Sequence, residues 1–244
     1  RYNCTEDINT CGRKEYVALT NNALPALNGK NVLVIGGTRF MGIRLVRELL
    51  ARGNHVTIAT RGKSKDNFGD RIDRVILDVE KPESVMDALG EQYYDVVFDN
   101  LAYSSNSVRN VLSAVKCGKY IQLSSVEVYS PTKMNLLEAD FDPYKIEQKW
   151  CGTNVGYQEG KRQAEAAVYQ KFPNIEAITV RVPYVTKTDR LLYYCRNIIS
   201  GEAMNIDDTQ RRLTFVRESE VGKFLTWIAG QNYMGPINLS STGS

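Results

Sequence analysis

The chain has 244 residues and a formal net charge of +3, with 31 Lys and Arg against 28 Asp and Glu. So small a surplus does not argue for a nucleic-acid binder, although a local basic patch stays open, and no apolar run is long enough to span a membrane. The length suits one large domain or two small ones with a sizeable core.

Arg1 to Lys30 is polar, with Asn21-Asn22 and Pro25 as turn signals, and carries no assigned chemistry. The chain begins at Arg1 rather than Met and has no signal-peptide pattern, which predicts a cytoplasmic protein whose natural start lies upstream. Without a secretory context, the sequon Asn3-Cys4-Thr5 is read as chance.

Asn31 to Ile35 (NVLVI) is a short apolar run rich in β-branched residues, broken by Gly36-Gly37. Behind Thr38, Arg39, Phe40 and Gly42, residues Met41, Leu45 and Leu49, with Ile43, Val46 and Leu50, recur at helical spacing. This is a strand, a tight turn and a helix. Such a turn lets backbone N–H groups and the helix dipole meet a phosphate, as dinucleotide sites do.

After Gly53, His55 to Thr60 (HVTIAT) reads as a second strand with a basic exit at Arg61, Gly62, Lys63 and Lys65. Arg74 to Leu77 is a third strand ending at Asp78, and Pro82 to Leu89 a short helix. Asp95 to Phe98 is a fourth strand leading to Asp99-Asn100-Leu101-Ala102. Val108 to Cys117 reads as a helix closed by Gly118, and Tyr120 to Leu123 as a fifth strand running into Ser124-Ser125. A charged loop from Pro131 to Asn154 precedes a helix over Gly156 to Gln170, and Ile178 to Val182 is a sixth strand stopped by Pro183. Leu191 to Ser200 and Val221 to Ala229 are further helices. The succession predicts an α/β fold, a Rossmann-type doubly wound parallel sheet. Its divisions are residues 1–30 of unassigned role, a dinucleotide-binding domain over 31–182, and a small substrate lobe over 183–244.

Three further features carry chemistry. Tyr157 and Lys161 lie four apart, on one helix face, where an ammonium can lower the phenol's ordinary pKa of about 10 toward that of a usable proton shuttle. Ser124-Ser125 falls at the carboxyl end of a strand, where such sheets place ligands. Thr60-Arg61 ends the second strand where NAD-specific folds carry an acid, and an arginine there suits a 2′-phosphate, so NADP is expected, with NAD as the alternative. The cysteines, Cys4, Cys11, Cys117, Cys151 and Cys195, are scattered and odd in number, as free thiols in a reducing compartment are. They suggest no metal site. His55 is the only histidine and precedes an apolar strand, and no G-x-S-x-G elbow is present for a hydrolase.

With these motifs in order, the chain resembles the extended short-chain dehydrogenase/reductase superfamily of NAD(P)-dependent epimerases and dehydratases, from about Asn31 onward. In its glycine turn, Gly36 and Gly42 match the first and third glycines, and Arg39 replaces the second. That departure resembles the atypical branch containing the chloroplast stem-loop-binding proteins, and it implies a second guanidinium near the 2′-phosphate. The segment LSSVEVYS resembles the family's catalytic-serine stretch and implies Ser125 rather than Ser124, with Tyr157 and Lys161 as the catalytic pair. By the same resemblance Asp78-Val79 contacts adenine, Asn100-Leu101-Ala102 is the turn beside the cofactor, and Arg181-Val-Pro183-Tyr184 runs past the nicotinamide. Leu213 to Glu220 resembles a substrate-lobe segment. Val126-Glu127 stands where dehydratases carry Asp-Glu, which ranks dehydratase below epimerase or reductase.

The expectation is therefore hydride transfer on a small molecule, with nucleotide sugars the class the resemblance implies and a homodimer its implied assembly. RNA binding or NADP sensing on the same fold are the alternatives.

Overall fold

The computed structural model describes residues 27–130, 135–186, 189–202 and 214–241. The readings at Asn3, Cys4, Cys11, Asn21-Asn22, Pro25 and Leu213 lie outside these residues.

Among the described residues nine strands are formed: β1 (Asn31–Ile35), β2 (His55–Thr60), β3 (Asp73–Ile76), β4 (Tyr93–Asp99), β5 (Lys116–Ser125), β6 (Glu176–Val182), β7 (Tyr184–Thr186), β8 (Phe215–Arg217) and β9 (Gly235–Asn238). The helices are α1 (Phe40–Ala51), α2 (Pro82–Leu89), α3 (Ser105–Ala114), α4 (Tyr157–Lys171), α5 (Asp189–Ser200) and α6 (Glu218–Ala229). Seven strands make one sheet in the order β3-β2-β1-β4-β5-β6-β9, all parallel. The expected doubly wound sheet is present. β7 and β8 pair separately, also in parallel.

Alternation along the strands builds the two cores. Val32 and Val34 of β1 face one way, with Leu45 and Leu49 of α1 and Phe224 and Leu225 of α6. Leu33 and Ile35 face the other way, with Val85 and Leu89 of α2, Val108 and Val111 of α3, and Ala164 and Val168 of α4. A central strand buried on both faces must be apolar throughout, which is why NVLVI reads as an unbroken run.

Element bounds shift by a few residues from expectation, most clearly where the third helix meets the fifth strand. The helical pattern expected to reach Cys117 stops at Ala114, and Lys116 and Cys117 already pair with Tyr93 and Tyr94 of β4. Gly118 is thus a strand residue, where a Cβ would lie 3.0 Å from the Asp95 carbonyl oxygen. Of the 183–244 stretch, β9 hydrogen-bonds to β6, and α6 packs on α1 closely enough that a Cβ on Gly222 would lie 2.9 Å from the Arg44 carbonyl carbon. Pro236 is tolerated in β9 because that strand is the sheet edge.

The strand order reverses between β1 and β4. The crevice above their carboxyl ends is the topological switch point, where α/β sheets bind ligands.

Candidate active site

The turn after β1 is shaped by contacts that exclude side chains. Gly36 has φ +82°, and a Cβ there would lie 2.8 Å from Leu101 Cγ. Its N–H donates to the Ala59 carbonyl at 2.9 Å. A Cβ on Gly37 would lie 3.0 Å from Ile58 Cγ2, and one on Gly42 only 2.3 Å from the Gly36 carbonyl oxygen. The middle position makes no such demand. Arg39 is extended at φ −137° and precedes α1, and its Nε donates to Ser64 Oγ at 2.8 Å. The substitution that breaks the glycine pattern is therefore sterically free, and it brings a guanidinium onto the loop after β2.

Phe40 takes φ +45°, an uncommon conformation for an aromatic residue, and is exposed. α1 has no side-chain cap and no acid in its first turn; the Gly42 N–H turns back to the Arg39 carbonyl at 3.0 Å, and the N–H groups of Phe40 and Met41 ahead of it lie at the positive end of the helix dipole. Thr38 lies half-buried in the turn, and Met41 packs on the core. Gly42→Ala is expected to cost about 1–3 kcal/mol by overpacking, read as a lowered denaturant midpoint. An unchanged midpoint would show that the turn yields.

The remaining crevice residues come from neighbouring strand ends. Thr60 Oγ1 accepts the Gly62 N–H at 3.2 Å, and Arg61 is exposed beside it. The Asp78 N–H donates to Ser84 Oγ at 3.1 Å, and the Val79 carbonyl accepts Asn110 Nδ2 at 2.9 Å. The Asn100 N–H donates to the Ile35 carbonyl at 3.1 Å and its side-chain amide to that of Gly36 at 3.3 Å, tying the two turns together. Ala102 is buried, Leu101 packs against the core, and Pro183 is buried at the end of β6.

α4 delivers Tyr157 and Lys161 to this crevice. Between them Gly160 packs so closely that a Cβ would lie 2.3 Å from the Tyr103 carbonyl oxygen. That contact brings Lys161 over the turn after β4, where Nζ donates to the Ala102 carbonyl at 3.0 Å and the Leu123 carbonyl at 2.7 Å. The same Nζ stands 4.5 Å from the Tyr103 ring centroid and 5.8 Å from that of Tyr157. Lys161 is 2% exposed whereas Tyr157 is 51% exposed. Burial pushes the amine down to about 8, against the opposing charges of Asp99 and Glu165.

The phenol departs from expectation. Desolvation holds Tyr157 above the ordinary tyrosine range, with Tyr103 and Glu127 adding to the rise and the Ser125 hydroxyl opposing it. Two of the three Lys161 donors are spent on carbonyls, so in this structure the amine does not depress the phenol as its spacing predicts.

The two serines separate by strand alternation. Ser124 Oγ donates to Glu165 Oε1 at 2.5 Å under α4, and Ser125, on the other face, stands beside Tyr157. Ser125 Oγ accepts the Glu127 N–H at 3.2 Å, which leaves its own proton to donate.

Sequence reasoning missed the network under this site. Arg181 is 0% exposed and spends its guanidinium on Glu165 (2.7 Å), Tyr129 Oη (2.8 Å) and the carbonyls of Glu138 (2.9 Å) and Phe141 (3.0 Å). Tyr129 Oη in turn donates to Asn238 Oδ1 at 2.6 Å. The available signal was an arginine inside the apolar strand ITVRV, which requires a buried partner. Among the described residues Cys117, Cys151 and Cys195 are free, and no His/Cys/Asp/Glu cluster could hold a metal. None of the described helices is long and apolar enough to cross a membrane.

Residues 32–186 match the NAD dependent epimerase/dehydratase family. A curated relative, the chloroplast stem-loop binding protein of 41 kDa b from Arabidopsis thaliana, is 33% identical over 167 residues, 63% of this chain and 42% of the relative. The chain thus spans about four-tenths of that relative's length. Among solved structures, epimerase Mth375 from Methanothermobacter thermautotrophicus superposes with a TM-score of 0.69 at 18% identity, covering 88% of this chain and 73% of that one. WbmG from Bordetella bronchiseptica, in complex with NAD and UDP, gives 0.65 at 13% identity, covering 87% and 73%. At such identities the likeness is one of fold.

Proposed function

The chain belongs to the NAD dependent epimerase/dehydratase family, and from that premise we propose that it is a nicotinamide-dependent epimerase or reductase acting on a small molecule. The observation that carries this reading is the clamp of Gly160 on the Tyr103 carbonyl, which sets Tyr157, Lys161 and Ser125 around one crevice at the carboxyl end of β5.

The turn suits a dinucleotide, because its glycines let the chain turn tightly against Leu101 and Ile58 and α1 starts there without a side-chain cap or an acid. Gly36 to Gly42 would hold the pyrophosphate, and Asp78-Val79 would lie at the adenine. Asn100, Leu101, Ala102 and Pro183 would flank the nicotinamide. When bound, that ring supplies the hydride exchange. Tyr157 passes a proton to or from the substrate oxygen, Ser125 donates a hydrogen bond to that oxygen, and Lys161 places a fixed positive charge beside both. Nucleotide sugars are the favoured substrate class, supported by the UDP held in the WbmG structure.

NADP is preferred to NAD in this reading. Arg61 stands where an acid would bind the ribose, and the Arg39–Ser64 bond puts a second guanidinium on the same loop. Arg61→Ala is expected to weaken NADPH binding by about tenfold, roughly the loss of one charge-assisted hydrogen bond, and to leave NADH unchanged. Fluorescence titration with both dinucleotides checks this, and unchanged discrimination removes Arg61 from the site.

The function itself is tested by incubating the chain with NADP or NAD and a panel of UDP-sugars and carbonyl compounds, following epimerisation and absorbance at the reduced nicotinamide. Stem-loop binding on the same fold is the second reading, favoured by the Arabidopsis relative's name. No turnover, together with stem-loop affinity that falls steeply with salt, would establish it instead.

A further inference from the structure

Beneath α4 lies a group of buried polar side chains that this chemistry leaves unused. Asp99 ends β4, is 1% exposed, and follows Val96, Val97 and Phe98, the apolar residues proper to a parallel strand. Its carboxylate accepts the Tyr120 hydroxyl at 2.8 Å and the Leu101 N–H at 2.8 Å. Three neutral donors, counting the Ala102 N–H, do not by themselves offset the cost of burying a charge, and a nearby cation is what favours the carboxylate over the neutral acid.

Among the described residues the buried acidic and basic side chains here are Asp99, Lys161, Glu165 and Arg181. Glu165 is taken by Arg181 at 2.7 Å and Ser124 at 2.5 Å. Lys161 Nζ rests on two carbonyls, neither a counter-ion. One of them is Ala102, on the turn that leaves Asp99. The other groups facing the amine are the phenols of Tyr103 and Tyr157, with Tyr120 behind Asp99. Desolvation holds all three above the ordinary tyrosine range, so they are neutral at neutral pH. Glu165 also faces Lys161 but is already paired with Arg181, and Asp99 is the other buried carboxylate acting on the amine.

We propose that Asp99, held by Tyr120, is a positioning residue that acts through Lys161 as the buried counter-charge keeping that amine in its ammonium form. The proposal rests on the role given to Lys161 above. It places an acid under the site at the end of an otherwise apolar stretch of parallel strand. Burial pushes Lys161 down and Asp99 up, and each charge resists the other's shift, so the two titrate as a linked pair.

The test reads Lys161 directly and needs no substrate. The protein is labelled with ε-¹³C lysine and titrated by NMR, with the Lys161 signal assigned by its loss in Lys161→Arg. The wild-type midpoint is expected near 8. In Asp99→Asn the sign is downward: the attraction that favours the ammonium is gone, and the midpoint falls by about one pH unit or more, while the other lysines stay in place. Tyr120→Phe, which removes one donor from Asp99, shifts the midpoint in the same direction by less. An unmoved midpoint in folded Asp99→Asn overturns the proposal, and if that variant does not fold, an unmoved midpoint in Tyr120→Phe overturns it. Full turnover in Tyr157→Phe alongside a moved midpoint would remove the catalytic reading and leave the Asp99–Lys161 coupling standing.

Discussion

Replacing Tyr157 by phenylalanine is expected to lower turnover by about 10²–10⁴-fold, the usual contribution of a positioned proton-transfer group, with dinucleotide affinity and thermal stability unchanged. The reasoning is geometric. The ring is half-exposed and its neighbours are Tyr103, at 6.1 Å between centroids, and Ser125, so losing the hydroxyl empties no core space. The phenol is nevertheless the one proton-bearing group that α4 turns toward Ser125 at the crevice. The check is steady-state kinetics on whichever substrate the panel identifies, with NADPH titration and a melting curve on the same preparation. A variant that keeps full turnover would move the chemistry elsewhere.

Breaking the ion pair below the site should have the largest effect on stability. Arg181→Leu leaves Glu165 charged and buried without a partner, at a cost of about 3–5 kcal/mol. For a chain of this length that is a fall in Tm on the order of 10 °C. It also frees the Glu138 and Phe141 carbonyls and the Tyr129 hydroxyl, so the loss spreads to the segment that follows β5. Glu165→Leu is expected to cost a similar amount, whereas the double variant should be less destabilised than the sum of the two, because neither charge is then stranded. Denaturant unfolding of the three variants checks this. Additive losses would show that the pair itself couples weakly.

Much of this arrangement is legible in the sequence. Local sequence encodes strand, turn and helix at Asn31 to Gly42, since apolar runs and glycine breaks act within a few residues. The same holds for Tyr157 and Lys161, whose shared face follows from helix geometry alone. What stayed hidden depends on contacts between distant segments. β9 is too short and too rich in Gly and Pro to announce a strand, and pairing with β6 makes it one. α3 ends before its pattern does because β4 captures Lys116 and Cys117. Arg39 departs from the glycine motif, and only its extended backbone and its bond to Ser64 show why no glycine is needed there. The state of Tyr157 could not be read from spacing, because Lys161 is drawn to carbonyls contributed by two other segments.

The closeness of Gly160 to the Tyr103 carbonyl also limits where the protein can vary. With no gap at that contact, α4 cannot slide or roll against the turn after β4. Tyr157 and Lys161 therefore share one rigid frame with the turn after β4, and under the proposed function a change of substrate would be met by other parts of the chain. The parallel ribbon of β7 and β8 pairs outside the main sheet, and under the proposed function it is where selectivity between related substrates would be tuned without disturbing the reacting groups.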